Sequence, residues 1–343
     1  MEEYPMAVVT APGKIEFQRK TLPPMGDHDV LLRVKACAIC GGDLHIFKGK
    51  HPLASLPVAV GHELSGEVIE VGKSVSRISR GDRVAVEPVI PCGKCHFCLR
   101  GEYHLCQDIR YQYSAGQGGF TPFFVASENW VHRLPDFLSY EEGALLEPLA
   151  VAVHAARKAQ IEMGHTVAIF GAGGIGLLLL QVARASGCAK VFITDLSEHR
   201  LKTAEFFGAA LALPPGKEDP VERILRETGG FGVDRSFEAV GLEKTLHQAA
   251  ASLKKGGIAV LIGFFEDPHQ ATFPVNLFVQ REIQIRGSRG YCWDFQVAME
   301  FLRNKKVKLE PLISHRLPLE DLPRAFQILL DPKSKADKVV IQV

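Results

Sequence analysis

Apolar positions follow two different patterns along this chain of 343 residues. In the first 150 or so residues, short β-branched runs at 30–34 and 66–71 alternate with turn signals such as Pro135-Asp136. Strands that recur between turns at this spacing predict an antiparallel, barrel-like domain. The first part of the chain is therefore expected to be mostly β-structure.

From about 152 to 295 the apolar positions change to runs that alternate with helical stretches. Five runs read as buried strands, at 167–170, 191–194, 233–237, 259–262 and 283–285. Helix-like segments lie between them, for example at 176–186 and 198–207. This alternation predicts a doubly wound parallel sheet with right-handed crossovers.

The last stretch of the chain, 296–343, holds two helical segments and a final strand at 338–343. A chain of this length is too long for one comfortable core, so two domains are expected. We expect the last stretch to return to the first domain. The predicted division is 1–152 with 296–343 for the first domain, and 153–295 for the second.

Composition and charge exclude several classes of partner. Hydrophobic residues make up 46% of the chain and charged residues 23%, which is typical of globular proteins. The 40 Lys and Arg residues nearly balance the 39 Asp and Glu residues, which gives no electrostatic case for nucleic acid or anionic membranes. The start of the chain lacks the basic and apolar regions of a signal peptide, and no apolar stretch reaches the roughly 20 residues of a membrane span. We therefore expect a cytoplasmic protein.

A glycine-rich turn follows the first predicted strand of the parallel sheet and opens a helix, which is the context that a dinucleotide site requires. The motif reads Gly171-Ala172-Gly173-Gly174-Ile175-Gly176. Gly171 is expected to permit the tight turn, Gly173 to let a pyrophosphate approach the backbone, and Gly176 to allow close packing of helix on strand. The free amides at the helix start favour phosphate charge. A turn that is merely rich in glycine is the alternative.

The second strand of the predicted sheet ends in Asp195, nineteen residues after Gly176. A carboxylate at this place accepts hydrogen bonds from both hydroxyls of an adenine ribose and repels a 2′-phosphate. The spacing therefore favours NAD over NADP, and it disfavours the merely glycine-rich turn. Arg200, in the next helical stretch, is a further candidate cofactor-binding residue.

Four of the eight cysteines lie close together in sequence. They are Cys92, Cys95, Cys98 and Cys106. Without an export signal, such clustering indicates metal rather than disulfides, and four thiolates suit a closed, structural zinc site. A zinc ribbon that binds nucleic acid is the alternative, but the surrounding residues are not especially basic. Cys37, which forms a CxxC pair with Cys40, is interpreted as a packing residue.

A second set of possible metal ligands is spread along the chain: Cys40, His62 with Glu63, and Glu147. One thiolate, one imidazole and one or two carboxylates leave room for a substrate oxygen, as a catalytic zinc requires. Each of these residues, taken alone, could be an ordinary core or surface residue. Together they predict a catalytic metal site.

Several segments taken together resemble one family, the zinc-containing medium-chain dehydrogenases/reductases, in their sorbitol, threonine and butanediol dehydrogenase branch. The segments are 40–45, 61–66, 81–88, the four-cysteine lobe, 141–154, the glycine turn and 311–316. The resemblance implies an α/β fold in which a mostly-β, GroES-like catalytic domain is joined to a doubly wound Rossmann domain. It also implies two zinc ions per chain, NAD as cofactor and a homotetramer or homodimer.

The resemblance assigns roles around the catalytic zinc. It implies that Cys40, His62 and Glu63 hold the metal, while Glu147 is either a direct ligand or bonded to the water on the metal. Asp43 resembles the carboxylate that orients the histidine ligand.

Further from the metal, His45 resembles the outer member of a proton relay. Gly263, Gly287 and Ser288 correspond to the segments that line the nicotinamide.

The chain departs from the family at two places. The family usually has Ser or Thr two residues after the ligand cysteine, where this chain has Gly42. An ordered water that links the substrate oxygen to His45 or Glu147 would replace that hydroxyl. Alternatively, Gly42 makes room for a bulkier substrate and Glu147 alone takes the proton. Sorbitol dehydrogenases also carry an Arg-Tyr pair that contacts the polyol, and the matching residues here are Gly290 and Tyr291.

The expected reaction is hydride transfer from a secondary alcohol to NAD, which gives a ketone. Polyols, sugar alcohols, vicinal diols and amino alcohols are the expected small-molecule substrates. One alternative is a zinc-free reductase of the same fold, which would need neither the four-cysteine lobe nor the Cys40, His62 and Glu63 set. The other is an inactive, cofactor-sensing protein, which Gly42 alone weakly favours.

Overall fold

A computed structural model of the chain describes residues 3–52, 54–266 and 270–343, and every predicted site residue lies within these ranges. The chain divides into two compact units, one of residues 1–147 with Leu309–Val343 and the other of Pro148–Lys308. The boundaries predicted from the sequence, 152/153 and 295/296, both fall inside continuous helices.

The first part of the chain is mostly β-structure with short helices. Its elements in chain order are β1 (Tyr4–Ala11), β2 (Lys14–Lys20), β3 (Asp29–Ala38), α1 (Gly41–Phe47), β4 (Val58–Ala59), β5 (Glu63–Val71), β6 (Arg83–Val86), β7 (Val89–Ile90), α2 (His96–Leu99), β8 (Arg110–Tyr111), β9 (Phe123–Ser127), β10 (Val131–Arg133) and α3 (Tyr140–Ala144). Val30, Leu32 and Val34 of β3 enter the core at the period of two that a strand imposes.

The remaining elements alternate strand and helix. They are α4 (Leu146–Lys158), β11 (Thr166–Phe170), α5 (Gly174–Ala185), β12 (Lys190–Thr194), α6 (Glu198–Phe206), β13 (Leu211–Leu213), α7 (Pro220–Glu227), β14 (Val233–Glu238), α8 (Glu243–Ala251), β15 (Leu253–Leu261), α9 (Val275–Arg281), β16 (Gln284–Gly287), α10 (Asp294–Arg303), β17 (Ile313–Pro318), α11 (Leu322–Leu330) and β18 (Lys338–Gln342).

Strand β3 lies inside the larger sheet of the first unit, whose order is β10-β6-β5-β3-β18-β17, with β9 also paired to β3. Both β5 and β18 run antiparallel to β3, and Ala38 of β3 pairs with Glu63 of β5 and with Val340 of β18. The end of β3 therefore lies beside the starts of β5 and β18. This register brings the end of β3, which Cys40 follows, next to Glu63 at the start of β5. Both residues are candidate metal ligands.

The parallel pair β17 and β18 departs from the predicted antiparallel arrangement. Helix α11 connects these strands, and a crossover of this kind is what a parallel pair needs. The sequence pattern did not reveal β17, because its residues 313–318 include alternating polar and half-exposed positions beside a proline.

The second unit contains a parallel sheet with the order β13-β12-β11-β14-β15-β16. Numbered from the first strand, this is the 3-2-1-4-5-6 order of doubly wound folds, which confirms the predicted fold class. Each of the five predicted strands is present. The sequence missed β13, which has only three residues and was too short to form a recognisable run.

Within the described ranges, no helix has the length and apolar character needed to cross a membrane.

Candidate functional site

Three side chains with metal-ligating atoms meet where β3 ends and β5 begins. The ligand atoms of Cys40, His62 and Glu63 all lie within 4.8 Å of one another. Cys40 caps helix α1, and the Gly42 N–H donates to its Sγ over 3.4 Å. One thiol, one imidazole and one carboxylate fit zinc and leave a coordination position for another ligand.

Asp43 fixes the orientation of His62. Its carboxylate is 1% exposed and accepts hydrogen bonds from the N–H groups of Cys40 at 3.0 Å and Gly61 at 3.2 Å. The Nδ1 atom of His62 lies 3.4 Å from the same carboxylate, so Nε2 is the nitrogen left for a metal. This placement fits the orienting role that the sequence resemblance implied for Asp43, and the role itself stays a prediction.

The charges around His62 affect its protonation. Burial alone would lower the pKa of His62, but attraction to Asp43 and Cys40 outweighs burial and raises this pKa well above its usual value. Burial alone would raise the pKa of Asp43, but His62 and the N–H groups of Cys40 and Gly61 lower it. Metal binding at this group is therefore coupled to the protonation of His62.

Lys338 forms a buried ion pair with Glu63, and sequence reasoning did not single it out. Its Nζ contacts both carboxylate oxygens and donates to the Ile39 carbonyl at 3.4 Å. The Lys338 side chain is 7% exposed and that of Glu63 is fully buried. Burial would lower the pKa of Lys338, but the charges of Glu63, Cys40 and Glu147 raise it. The signal in the sequence was a lysine at the head of an apolar strand.

Glu147 and His45 do not belong to the three-donor group. Glu147, near the start of α4, is buried and close enough to contribute to the raised pKa of Lys338. His45 lies in α1, and its charge adds to burial in lowering the pKa of His51, a residue that sequence reasoning did not select. Direct ligation by Glu147 and a relay through His45 stay predictions.

The four cysteines of the lobe come together around α2. The sulfur atoms of Cys92, Cys95, Cys98 and Cys106 lie within 4.8 Å of one another. The N–H groups of Cys98 and Gln107 lower the pKa of Cys95 to about 6, which favours its thiolate form. Four sulfur donors with no open position fit a structural zinc.

Glu87 ties the cysteine lobe to the sheet beneath it. This buried carboxylate accepts a hydrogen bond of 2.5 Å from the Tyr103 hydroxyl, and it lies 3.0 Å from Nε2 of His132 on β10. The ring of Tyr103 also meets Trp130 edge-on, with centroids 5.0 Å apart. These contacts position the lobe on the sheet.

The glycine turn after β11 requires its glycines for different reasons. Gly171 has a φ of +109°, and a Cβ there would lie 2.7 Å from the side chain of Val240. A Cβ on Gly176 would overlap the Gly171 carbonyl, so the helix can only pack this closely without one. A Cβ on Gly173, the residue before α5 begins with Gly174 and Ile175, would meet no other described atom within 4 Å, and no side chain caps this helix start. Open space in front of free helix amides suits a phosphate.

Asp195 contacts the glycine turn from the end of β12. Its carboxylate accepts hydrogen bonds of 2.8 Å from the N–H groups of Ala172 and Ser197. The guanidinium of Arg200 lies 4.0 Å away. The acid and the turn therefore lie together, as the spacing in the sequence predicted.

Other candidate cofactor-binding residues lie at the carboxyl ends of the parallel strands, as the glycine turn does. Phe170, Glu238, Leu261 and Gly287 end four neighbouring strands and pair in one row. Ser288 follows this row and donates from its N–H to the Leu261 carbonyl at 2.9 Å.

Gly263 also follows the row of strand ends. A Cβ there would meet the side chain of Glu238 and the backbone of residues 240 and 241, so this position requires glycine.

Two family models match the chain. Residues 26–136 match the alcohol dehydrogenase GroES-like domain, and residues 174–304 match the zinc-binding dehydrogenase model. One match lies in each unit.

Individual proteins match over nearly the whole length. Human sorbitol dehydrogenase is 37% identical over 326 residues, which are 93% of this chain and 91% of that protein. The crystal structure of 2R,3R-butanediol dehydrogenase from Bacillus subtilis has a TM-score of 0.89 and 32% identity, with 99% of each chain covered. A zinc-binding dehydrogenase from Sinorhizobium meliloti, bound to NADP, has a TM-score of 0.93 and 29% identity, with 100% of each chain covered.

Proposed function

This chain belongs to the zinc-binding dehydrogenases that carry an alcohol dehydrogenase GroES-like domain, and we propose that it oxidises secondary alcohols with NAD to give ketones. Relatives named for sorbitol and 2R,3R-butanediol support polyols and vicinal diols as the substrate class. We also expect a homotetramer or homodimer, which follows from the family resemblance alone.

The observation that carries this proposal is the group of Cys40, His62 and Glu63, with Asp43 behind the imidazole. These residues would hold a zinc ion, which would supply Lewis acidity for an alcohol oxygen, and bound NAD would supply the hydride acceptor. Asp43 holds the imidazole in the tautomer that presents Nε2. The cysteine lobe would hold the second zinc as a structural ion.

The glycine turn and Asp195 supply the other half of the proposed site. Free amides at the start of α5 bind the pyrophosphate, and Asp195 accepts hydrogen bonds from the adenine ribose. A zinc-free reductase needs none of the seven metal-ligating side chains that cluster here, so their presence argues against that alternative. Activity measurements separate an enzyme from a cofactor-sensing protein.

The test of the proposed function is NADH formation with a panel of alcohols. We expect polyols and vicinal diols to be oxidised with higher kcat/KM than simple primary alcohols. Ethanol as the best substrate in a broad panel would contradict the substrate class. No NADH formation with any alcohol, by protein with two zinc ions per chain, would contradict the function itself.

Cofactor preference depends on Asp195. We expect kcat/KM for NAD to exceed that for NADP at least about tenfold, or roughly 1.4 kcal/mol. In Asp195→Ser the difference in kcat/KM between NAD and NADP should become smaller. The carboxylate no longer repels the 2′-phosphate of NADP, and Arg200 becomes available to bind that phosphate. Glu198→Ser, which removes an exposed acid paired with Lys217, is the matched control. Equal kcat/KM with both cofactors in the unmodified enzyme would contradict the role of Asp195.

The space beside Gly42 allows a direct test of the proton route. A Cβ at Gly42 would meet Cys40 Sγ at 3.8 Å and His62 Cε1 at 4.0 Å, which are ordinary contacts, so the methyl group of an alanine fits. If a water carries the alcohol proton, Gly42→Ala should displace it and lower kcat by on the order of tenfold. Gly42→Ser should keep or raise kcat, because its hydroxyl takes the place of the water. Equal increases in KM with unchanged kcat in both variants would instead show that Gly42 provides room for the substrate.

A further inference from the structure

A buried carboxylate lies at the carboxyl end of β14, inside the second unit. Glu238 ends this strand, is fully buried, and pairs in register with Phe170, which directly precedes the glycine turn. Burial of a carboxylate costs free energy unless hydrogen bonds or a counter-charge compensate it. The proposed function assigns no role to Glu238, and the partners of its side chain therefore indicate what that role is.

One oxygen of Glu238 holds the turn that follows β14. Its Oε1 accepts hydrogen bonds from the N–H groups of Val240 at 2.9 Å and Gly241 at 2.8 Å, and from the Thr245 hydroxyl at 2.7 Å. The first two donors lie in the turn and the third lies in α8, so one oxygen joins the turn to the helix that follows it. Hydrogen bonds to a charged acceptor are stronger than those between neutral groups. This side chain therefore fixes the path of the turn.

The other oxygen of Glu238 faces the turn that follows β15. A Cβ on Gly263 would overlap both Oε2 of Glu238 and the Gly241 nitrogen. In the opposite direction, a Cβ on Gly241 would overlap the Phe264 carbonyl oxygen. The N–H of Gly263 also donates to the Glu238 carbonyl at 2.9 Å. The two turns are thus in direct backbone contact, and the Glu238 side chain lies where they meet.

The turn after β14 also contacts the glycine turn that is proposed to bind NAD. A Cβ on Gly171 would lie 2.7 Å from Cγ2 of Val240 and 3.0 Å from the Ala239 carbonyl oxygen. The N–H of Ala239 donates to the Phe170 carbonyl at 2.9 Å, directly before Gly171. Val240 is nevertheless 42% exposed, so part of its side chain is open beside the glycine turn. Ligands of doubly wound sheets bind beyond the carboxyl ends of the strands, which is where this turn lies.

We propose that Glu238 is a positioning residue for the cofactor: its side chain holds the turn 239–241 against the glycine turn, and the affinity for NAD depends on that contact. The inference rests on the proposed binding of NAD at the glycine turn. Without an acceptor at this place, two N–H groups and one hydroxyl would lose their buried partner, and the turn would shift to satisfy them. Val240 would then no longer border the glycine turn in one fixed position. The negative charge itself is not required, because an amide oxygen in the same place accepts hydrogen bonds as well.

The first test compares the affinity for NADH of two Glu238 variants, measured by NADH fluorescence. Glu238→Asp keeps the charge but withdraws the oxygens from the turn by one carbon–carbon bond, so the Kd for NADH should rise at least about tenfold. Glu238→Gln loses the charge but keeps an oxygen in place, so its Kd should stay within about threefold of the unmodified value. An unchanged Kd in Glu238→Asp, or an equal rise in both variants, would overturn the inference.

Asp234→Asn is the matched control, because Asp234 lies near the amino end of the same strand. Its carboxylate accepts a hydrogen bond of 2.8 Å from the Thr166 N–H and pairs with Lys254, away from the three turns. The Kd for NADH should be unchanged in this variant. A rise equal to that in Glu238→Asp would show that the loss of affinity follows from general destabilisation of the unit, and it would overturn the positioning role.

Steady-state kinetics provides a second readout. In Glu238→Asp, KM for NAD should rise, while kcat at saturating NAD changes less than about twofold. If Glu238→Asp does not fold, Val240→Ala decides the question, because this side chain is partly exposed and its truncation leaves the buried carboxylate in place. Its Kd for NADH should rise at least about threefold, and an unchanged Kd would overturn the inference. Failure of the unmodified protein to bind NADH would contradict the proposed function, whereas tight NADH binding that is insensitive to these variants contradicts the role of Glu238 alone.

Discussion

Replacement of Cys40 by alanine is expected to lower kcat/KM for every alcohol substrate at least about 10³-fold, because metal polarisation is worth several kcal/mol. Cys40 supplies the sulfur of the three-donor group, and a site reduced to His62 and Glu63 holds zinc weakly. Elemental analysis should find one zinc per chain in the variant and two in the unmodified protein. The melting temperature should fall less than in a variant that loses the zinc of the cysteine lobe, because the sheet beside Cys40 keeps its pairing.

Two other cysteines provide matched controls. Cys37 is fully buried three residues before Cys40, so Cys37→Ala should keep both zinc ions and lose only packing. Cys95→Ala should lose the other zinc and lower the melting temperature, because that metal organises the lobe. Full activity with two zinc ions in Cys40→Ala would contradict the site. An equal loss of zinc in Cys37→Ala would show that the CxxC pair, rather than the three-donor group, binds the metal.

Much of the candidate site could be predicted because its residues lie in short segments with local signals. The glycine turn, the His62-Glu63 pair and the cysteine lobe each combine chemistry and spacing within a few residues. The parallel sheet was readable for a similar reason, since its central strands are buried on both faces and form continuous apolar runs. The strand β13 was not predicted, because a segment of three residues is too short to show the periodicity of a strand.

The contacts that were not predicted depend on which strands become neighbours. Lys338 and Glu63 are 275 residues apart in sequence, and only the pairing of β18 and β5 with β3 brings them together. The bonds between Asp294 and His154 likewise join residues 140 positions apart. No local pattern encodes such neighbours, because strand order is decided by the packing of the whole unit.

The ion pair of Lys338 with Glu63 should be among the most sensitive contacts of the first unit. Lys338→Met leaves a fully buried carboxylate without its counter-charge, which costs about 3–5 kcal/mol in comparable buried pairs. Urea unfolding of metal-free protein measures this loss. The double variant Glu63→Gln/Lys338→Met should recover most of it, because no charge is then left buried. Lys217→Met is the control, since Lys217 and Glu198 form an exposed pair that solvent screens, so its loss should change the stability little.

The same variants test whether Glu63 binds zinc in addition to its ion pair with Lys338. If Glu63 also binds zinc, the positive charge of the metal should replace part of that of Lys338, so Lys338→Met should be destabilised less in zinc-loaded than in metal-free protein. Glu63→Gln should then bind zinc more weakly, because a carboxylate ligand becomes a neutral amide. Unfolding with and without zinc, together with zinc titration, measures both effects. An equal destabilisation in the two states, with unchanged zinc affinity in Glu63→Gln, would show that Glu63 serves Lys338 alone. In that case Cys40 and His62 need another ligand, and Glu147 becomes the candidate.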